Sequence, residues 1–246
     1  MKKIFIALVI PFLASVYSLN AEVCGKVDAG PTYIHLDMLQ SGKTVKRVDM
    51  AGVKVDSSIV FWKGLCVKPT FIYGNGHGEI TSAGGSFGHY TPFCENWSAT
   101  PAIGCVYTEI ETTIPIALQG LLPFPIPPMP RAHVKQKLYS VSPYLSLDVS
   151  YCFYKGWRII AVYQYSWSRT LTTLSLKKPL FPLIGGNAEN VRDWSHSQGS
   201  NYGLMLEGDI NDHWSINIGA AYNLGLSKEK HGIRAYGGRI AVAYWF

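Results

Sequence analysis

The 246-residue sequence predicts an all-β fold, a transmembrane antiparallel up-and-down β-barrel of ten strands, with eight strands as the alternative. Three observations carry this. Apolar and polar residues alternate through most of the chain, the apolar faces hold no charge between the strand ends, and aromatic residues gather at two heights along the strands.

The first segment is an address. Lys2 and Lys3 precede the apolar run Ile4 to Val16 and then small and polar residues, the pattern of a secretory signal peptide cleaved near Ala21. Residues 22–246 then form a single domain. Val23 stands before Cys24 where lipid attachment at that cysteine would need a small residue. Removing Lys2 and Lys3 from 22 basic residues leaves 20 against 16 acidic ones, a charge of +4, which does not point to nucleic acid. The longest later apolar run, "GLLPFPIPPMP", is broken by five prolines, so a membrane-spanning helix is excluded. With 24 glycines and 15 tyrosines, the composition suits sheet.

The strands follow in order. Thr32 to Met38 is the first. Val53, Val55, Ile59 and Phe61 share a face before the turn in "IVFWKGLCV", and Leu65, Val67, Phe71 and Tyr73 share one after it. Val106 to Leu118 places Val106, Ile110, Ile114 and Ile116 opposite Tyr107, Glu109 and Glu111. Leu138 to Phe153 alternates almost without error. It turns through "YKG", in an echo of the earlier "WKG", into Trp157 to Thr170. Tyr202, Leu204 and Leu206 lead through "DINDH" to Trp214, Ile216, Ile218, Ala220, Tyr222 and Leu224, with Asn and Asp supplying the turn chemistry. The last strand, Tyr236 to Phe246, sets Ile240, Val242, Tyr244 and Phe246 against Arg239, Ala241, Ala243 and Trp245.

A soluble sandwich or lipocalin-like barrel would alternate too. The polar faces decide between them, because Ser215, Asn217, Gly219, Ala221 and Asn223 are small and crowded, as the inside of a narrow barrel requires. Charged residues fall on these faces: Asp37, Lys54, Asp56, Lys68, Glu109, Glu111, Asp148, Arg158, Glu207, Asp209 and Arg239. They are expected to pair within the lumen, since an isolated buried charge is prohibitive. One aromatic band holds Phe61, Phe153, Trp157, Trp214, Tyr244 and Phe246. The other holds Tyr73, Tyr139, Tyr165, Trp167, Tyr202 and Tyr236, as interfacial girdles would.

In these features the chain resembles a bacterial outer-membrane β-barrel protein of the small-barrel class. The resemblance implies an outer-membrane location, contact with membrane lipid, and a final strand in which Ile240, Val242, Tyr244 and Phe246 form the assembly signal read by the barrel-insertion machinery. It implies a monomer with both termini on the periplasmic side. Deleting Phe246 or appending charged residues is expected to impair membrane assembly. Counting back from Phe246 leaves one descending strand missing between Tyr73 and Val106, which the glycine-rich stretch from Gly74 to Thr100 either hides or replaces with a long outer loop. Further outer loops are expected at Gln40 to Gly52, in "GLLPFPIPPMPRAH", in "SLKKPLFPLIGGNAENVRDWSHSQGS" and in "GLSKEKHG". The proline-rich loop is stiff and is a candidate contact for an external ligand.

The functional reading is a non-enzymatic barrel with a structural, surface-contact or narrow-channel role. Open aqueous channels come at about 16 strands, so general porin activity is not expected. The alternative is a surface hydrolase. Omptin proteases pair acids with an Asp–His couple, and Asp193 and His196 supply such residue types, at a spacing of three rather than two and without a facing acid pair. "HSQGSN", His196 to Asn201, holds the residue types of lipid A deacylases at another spacing. Asp212 and His213 are assigned to a turn. No cofactor or metal is expected, because Cys24, Cys66, Cys94, Cys105 and Cys152 lack metal-ligand spacing. A loop disulfide between Cys94 and Cys105, or an intermolecular bridge, is the expectation for an odd cysteine count.

Overall fold

The computed structural model describes residues 23–116, 132–176 and 191–246. The segment assigned to the signal peptide, the proline-rich stretch and residues 177–190 therefore lie outside the described residues. The strands are β1 (Cys24–Gln40), β2 (Lys43–Phe61), β3 (Leu65–Gly76), β4 (Gly78–His89), β5 (Thr91–Cys94), β6 (Trp97–Ile116), β7 (Ala132–Tyr154), β8 (Trp157–Leu176), β9 (Val191–Asp209), β10 (Trp214–Leu226) and β11 (Gly232–Trp245). Each long strand pairs antiparallel with its neighbours. β4 pairs with β6, and β11 returns to β1. The result is a closed barrel of ten long strands, with β5 a short spur folded back on the start of β6. Closure leaves the long ladder with no free edge.

Closure is made by the chain ends. The amide of Gly25 donates to the carbonyl of Phe246 at 2.9 Å, and the Phe246 amide donates back at 3.0 Å. The Phe246 ring lies over Gly25, where a Cβ would come within 2.6 Å of it. Among the expected signal residues, Ile240, Val242 and Tyr244 point outward, while Ala241 and Ala243 are buried inside.

At the end carrying the termini, Trp62, Lys63 and Gly64 close β2 onto β3, with Lys63 and Gly64 in the left-handed region (φ 53° and 88°). Between β9 and β10 the Asn211 side-chain oxygen accepts the amides of His213 and Trp214, both at 2.9 Å. Asp212 and His213 thus sit in a turn, as expected.

Three expectations are corrected. Gln40 to Gly52 is no loop, because Ser41 and Gly42 (φ 50° and 78°) turn β1 tightly into β2. Val191 to Ser200 belongs to β9 rather than to a loop, whereas the glycine-rich stretch hides the missing descending strand, β4, one of the two outcomes left open for it. All five cysteines are free, and Cys94 and Cys105 form no bridge.

Strand length decides what the barrel does vertically. A tilted strand crosses the hydrocarbon in about 9–11 residues, yet β6 to β9 have 20, 23, 20 and 19. On β11 the span from Tyr244 to Tyr236 matches one crossing, with Val242 and Ile240 exposed between them. Tyr163, Tyr202, Tyr222 and Tyr236 form an upper girdle, their successive ring centroids 5.3, 6.5 and 5.2 Å apart. Trp97, Tyr151, Trp157, Trp214 and Tyr244 mark the lower one. The strands continue above the upper girdle as a collar.

The collar explains a further correction. Along β6 the odd residues point outward with Ile103 and Tyr107, so Glu109 and Glu111 are on the outside, not in the lumen. Asp37 on β1 is outward too. Inside at this height pack Leu36, Met38, Val48, Met50, Ile80, Ile110 and Leu138. The collar is thus built like a soluble barrel, with charge outside and apolar side chains within.

Candidate functional site

Below the girdle the lumen is filled by a lattice of ion pairs. Glu207, fully buried, accepts from the Lys26 ammonium and lies 3.5 Å from Arg158. Arg158 also donates to Asp209 at 2.9 Å. Arg239 reaches Asp28 at 2.8 Å and Asp56 at 2.5 Å, and Lys54 lies 2.9 Å from Asp56. The Thr70 hydroxyl donates to Asp56 at 2.5 Å, and Lys68 pairs with Asp148 at 2.5 Å. Five cations thus meet five carboxylates. Beneath them the Trp245 ring carries Lys26 and Arg158 over its face at 5.3 and 4.7 Å, and its indole N–H donates to Ser215 at 3.1 Å.

Of the six charges expected in the lumen, the structure brings Asp148, Arg158, Glu207 and Arg239 into this lattice. Lys26 and Asp28 also belong to it. They were missed because the first strand was started at Thr32, although Lys26, Asp28 and Thr32 already share one parity.

The collar's outer face holds two clusters. At the seam, Arg234 of β11 donates twice to Asp37 Oδ2, at 3.0 and 2.6 Å, and Arg47 lies 3.5 Å from Asp37 Oδ1. Asp49 accepts from the Tyr33 hydroxyl at 2.6 Å and lies 2.7 Å from His35 Nδ1, while His35 Nε2 is 3.5 Å from Asp37. On β6 and β7, Glu111 pairs with Lys135 and, at 2.9 Å, with Lys137, and Glu109 is 3.7 Å from Lys137. Burial alone would raise the Glu111 carboxyl, but its bonds to Lys135 and Lys137 hold it below its ordinary range. The Lys137 ammonium is pushed up in return by Glu111.

The hydrogen bonds from Arg234 hold the Asp37 carboxyl below its ordinary value, against the opposing effect of burial. A depressed carboxylate contributes stability that is complete above its unfolded pKa of about 3.9 and is lost as pH falls through the lower folded value. The seam clamp is therefore expected to hold from neutrality down to about pH 4 and to weaken below it. Unfolding midpoints measured across this range should show the acid-induced loss shrinking in Asp37→Asn.

The hydrolase candidates do not converge. Asp193 stands opposite Thr172 and His196 opposite Arg169 in β9, three residues apart on one strand. Side chains alternate with period two, so Asp193 follows the inward parity of Glu207 and His196 the outward parity of Tyr202. In "HSQGSN", His196 and Ser200 share the outward parity, while Asn201 faces inward and bonds Gln164 at 3.4 Å. The nearest aromatic arrangement is the Arg169 guanidinium 4.3 Å over the Trp194 ring. No cluster of metal-ligating side chains occurs among the described residues.

Comparison with protein-family models gives no match, and none of the curated proteins matches. Solved structures do. The outer membrane protease OmpT from Escherichia coli superposes with a TM-score of 0.58 at 10% identity, over 93% of this chain and 99% of that one. The translocator domain of the autotransporter NalP from Neisseria meningitidis gives 0.44 at 11% identity, over 99% and 95%. The attachment invasion locus protein Ail of Yersinia pestis gives 0.42 at 7%, over 92% and 99%. The chain thus has the fold of bacterial outer-membrane β-barrel proteins. A likeness at 10% identity shows the fold alone, so activity must be argued from the side chains.

Proposed function

We propose that the protein is an integral outer-membrane barrel without enzymatic activity, sealed along its axis and serving contact at the cell surface through its collar. The observation that carries this reading is the change of character at the upper girdle. Below it the outside is apolar and the lumen is occupied by balanced ion pairs. Above it the outside is charged and the inside is packed with apolar side chains. A solute would have to displace both layers, and neither lattice nor core offers it a continuous polar path.

The opposite faces taken by Asp193 and His196 favour this reading over a hydrolase. The outward alternation of Ile240, Val242 and Tyr244, ending in Phe246 at the closing seam, supports an assembly-signal role for the last strand. Two measurements test the proposal together. Planar bilayers containing the protein should show no conductance steps, and an impermeant amine reagent applied to intact cells should label Lys135 and Lys137 but not Lys63 or Lys155. Reproducible steps of an open pore would overturn the sealed lumen, and protected collar lysines would overturn surface contact.

A further inference from the structure

We propose that the two Phe-aromatic-Lys-Gly turns, Phe61 to Gly64 and Phe153 to Gly156, are clamps for the anionic phosphate headgroups of the periplasmic leaflet. This rests on the outer-membrane reading and assigns it a specific lipid chemistry. The two turns repeat one residue order at separate places on the rim, between β2 and β3 and between β7 and β8. Each projects an aromatic ring beyond the lower girdle. Tyr154 is 70% and Trp62 63% exposed, the highest values of any Phe, Tyr or Trp among the described residues.

Each ring is followed by a lysine that makes no ion pair with a described residue, in contrast to the ten paired groups of the lumen. In the first turn the Lys63 ammonium stands 5.4 Å from the centre of the Trp62 ring, so cation and ring present one combined surface. Lys63 adopts φ 53°, a position that Asn, Asp or Gly fills at lower cost in such turns. A strained position kept by a long cationic side chain calls for a use of that side chain.

Continuity with the lipid-facing surface selects the occupant. Phe61 and Leu65 flank the first turn and Phe153 and Trp157 the second, all at the lower edge of the apolar belt. A ring one residue beyond that edge lies among headgroups, where Trp and Tyr are at home, and a flexible lysine there extends to phosphate. A glycan polymer in the periplasm would instead need rings turned away from the belt.

The test uses the protein purified in detergent from membranes of an expressing bacterium and titrated with phosphatidylglycerol, bound lipid being counted by native mass spectrometry. Each of Lys63→Gln and Lys155→Gln should weaken retention about fivefold, the effect of one interfacial lysine, and the double variant should lose the lysine-dependent lipid altogether. The shift in gel mobility between unboiled and boiled samples should persist in every variant, which shows that the barrel is intact. Equal retention by the double variant and the unmodified protein overturns the clamps. So does lysine-dependent sedimentation with peptidoglycan that phosphatidylglycerol does not compete. A protein that shows no boiling-dependent shift and does not enter vesicles defeats the membrane reading itself, a failure distinct from the other two.

Discussion

Glu207→Gln is expected to destabilise the barrel by about 3–5 kcal/mol, the usual consequence of removing one partner from a buried ion pair. Glu207 is fully buried and faces both Lys26 and Arg158. Arg158 retains Asp209, but Lys26 keeps only Asp28, at 3.8 Å. The substitution therefore leaves a cation in the lumen without its nearest carboxylate. The double substitution Lys26→Met with Glu207→Leu should cost much less, because a pair replaced by apolar groups of similar size is often neutral or stabilising. Urea unfolding in vesicles would measure both. A single-variant loss within about 0.5 kcal/mol, the range of surface substitutions, would mean that the lattice is hydrated and does not seal the lumen.

Gly30→Val should have a still larger effect and prevent closure. At Gly30 a Cβ would sit 2.5 Å from the Ala241 Cα and closer still to the Ile240 carbonyl oxygen. These are backbone atoms of the closing strand and cannot swing aside. Pro31 follows and has no amide to give to the ladder, and the β1–β11 register passes from Ala29 and Val242 directly to Thr32 and Arg239. The ladder is thus interrupted at the same point where a Cβ on Gly30 would meet the β11 backbone. Ordinary overpacking costs about 1–3 kcal/mol, and a clash with fixed backbone at the closing seam exceeds it. The expected result is loss of the folded, faster-migrating gel band; an undiminished band would show that the seam can separate at Gly30 without opening the barrel.

Much of this was legible in the sequence. The alternation in β7, β8, β10 and β11 fixes strands, parity and aromatic heights, because period two is directly the geometry of a pleated strand. It does not say which face meets which solvent. Asp37, Glu109 and Glu111 share the alternation of their strands, and only strand length reveals that they stand above the upper aromatic girdle, where the preference reverses. β4 was ambiguous for another reason. Its glycines have weak strand propensity, yet at Gly84 a Cβ would lie 2.7 Å from the Val106 Cα. Close approach between neighbouring strands accounts for what propensity counts against. Asp193 and His196 looked like loop residues because β9 continues far past the membrane, a length that the flanking sequence does not signal.

The outward ion pairs of the collar bear on how the barrel is made. Any charge that ends outside the cell must first be carried across a low-dielectric layer, and bare charges cross poorly. In the collar the partners lie on successive, paired strands: Glu111 with Lys135 and Lys137 on β6 and β7, and His35 with Asp49 and Arg47 with Asp37 on β1 and β2. A hairpin can therefore be translocated with its charges already neutralised from within, and a lone strand cannot. Among the described residues of the collar, the Arg234–Asp37 ion pair is the one that joins the first strand to the last, so its charges find each other after every hairpin has arrived.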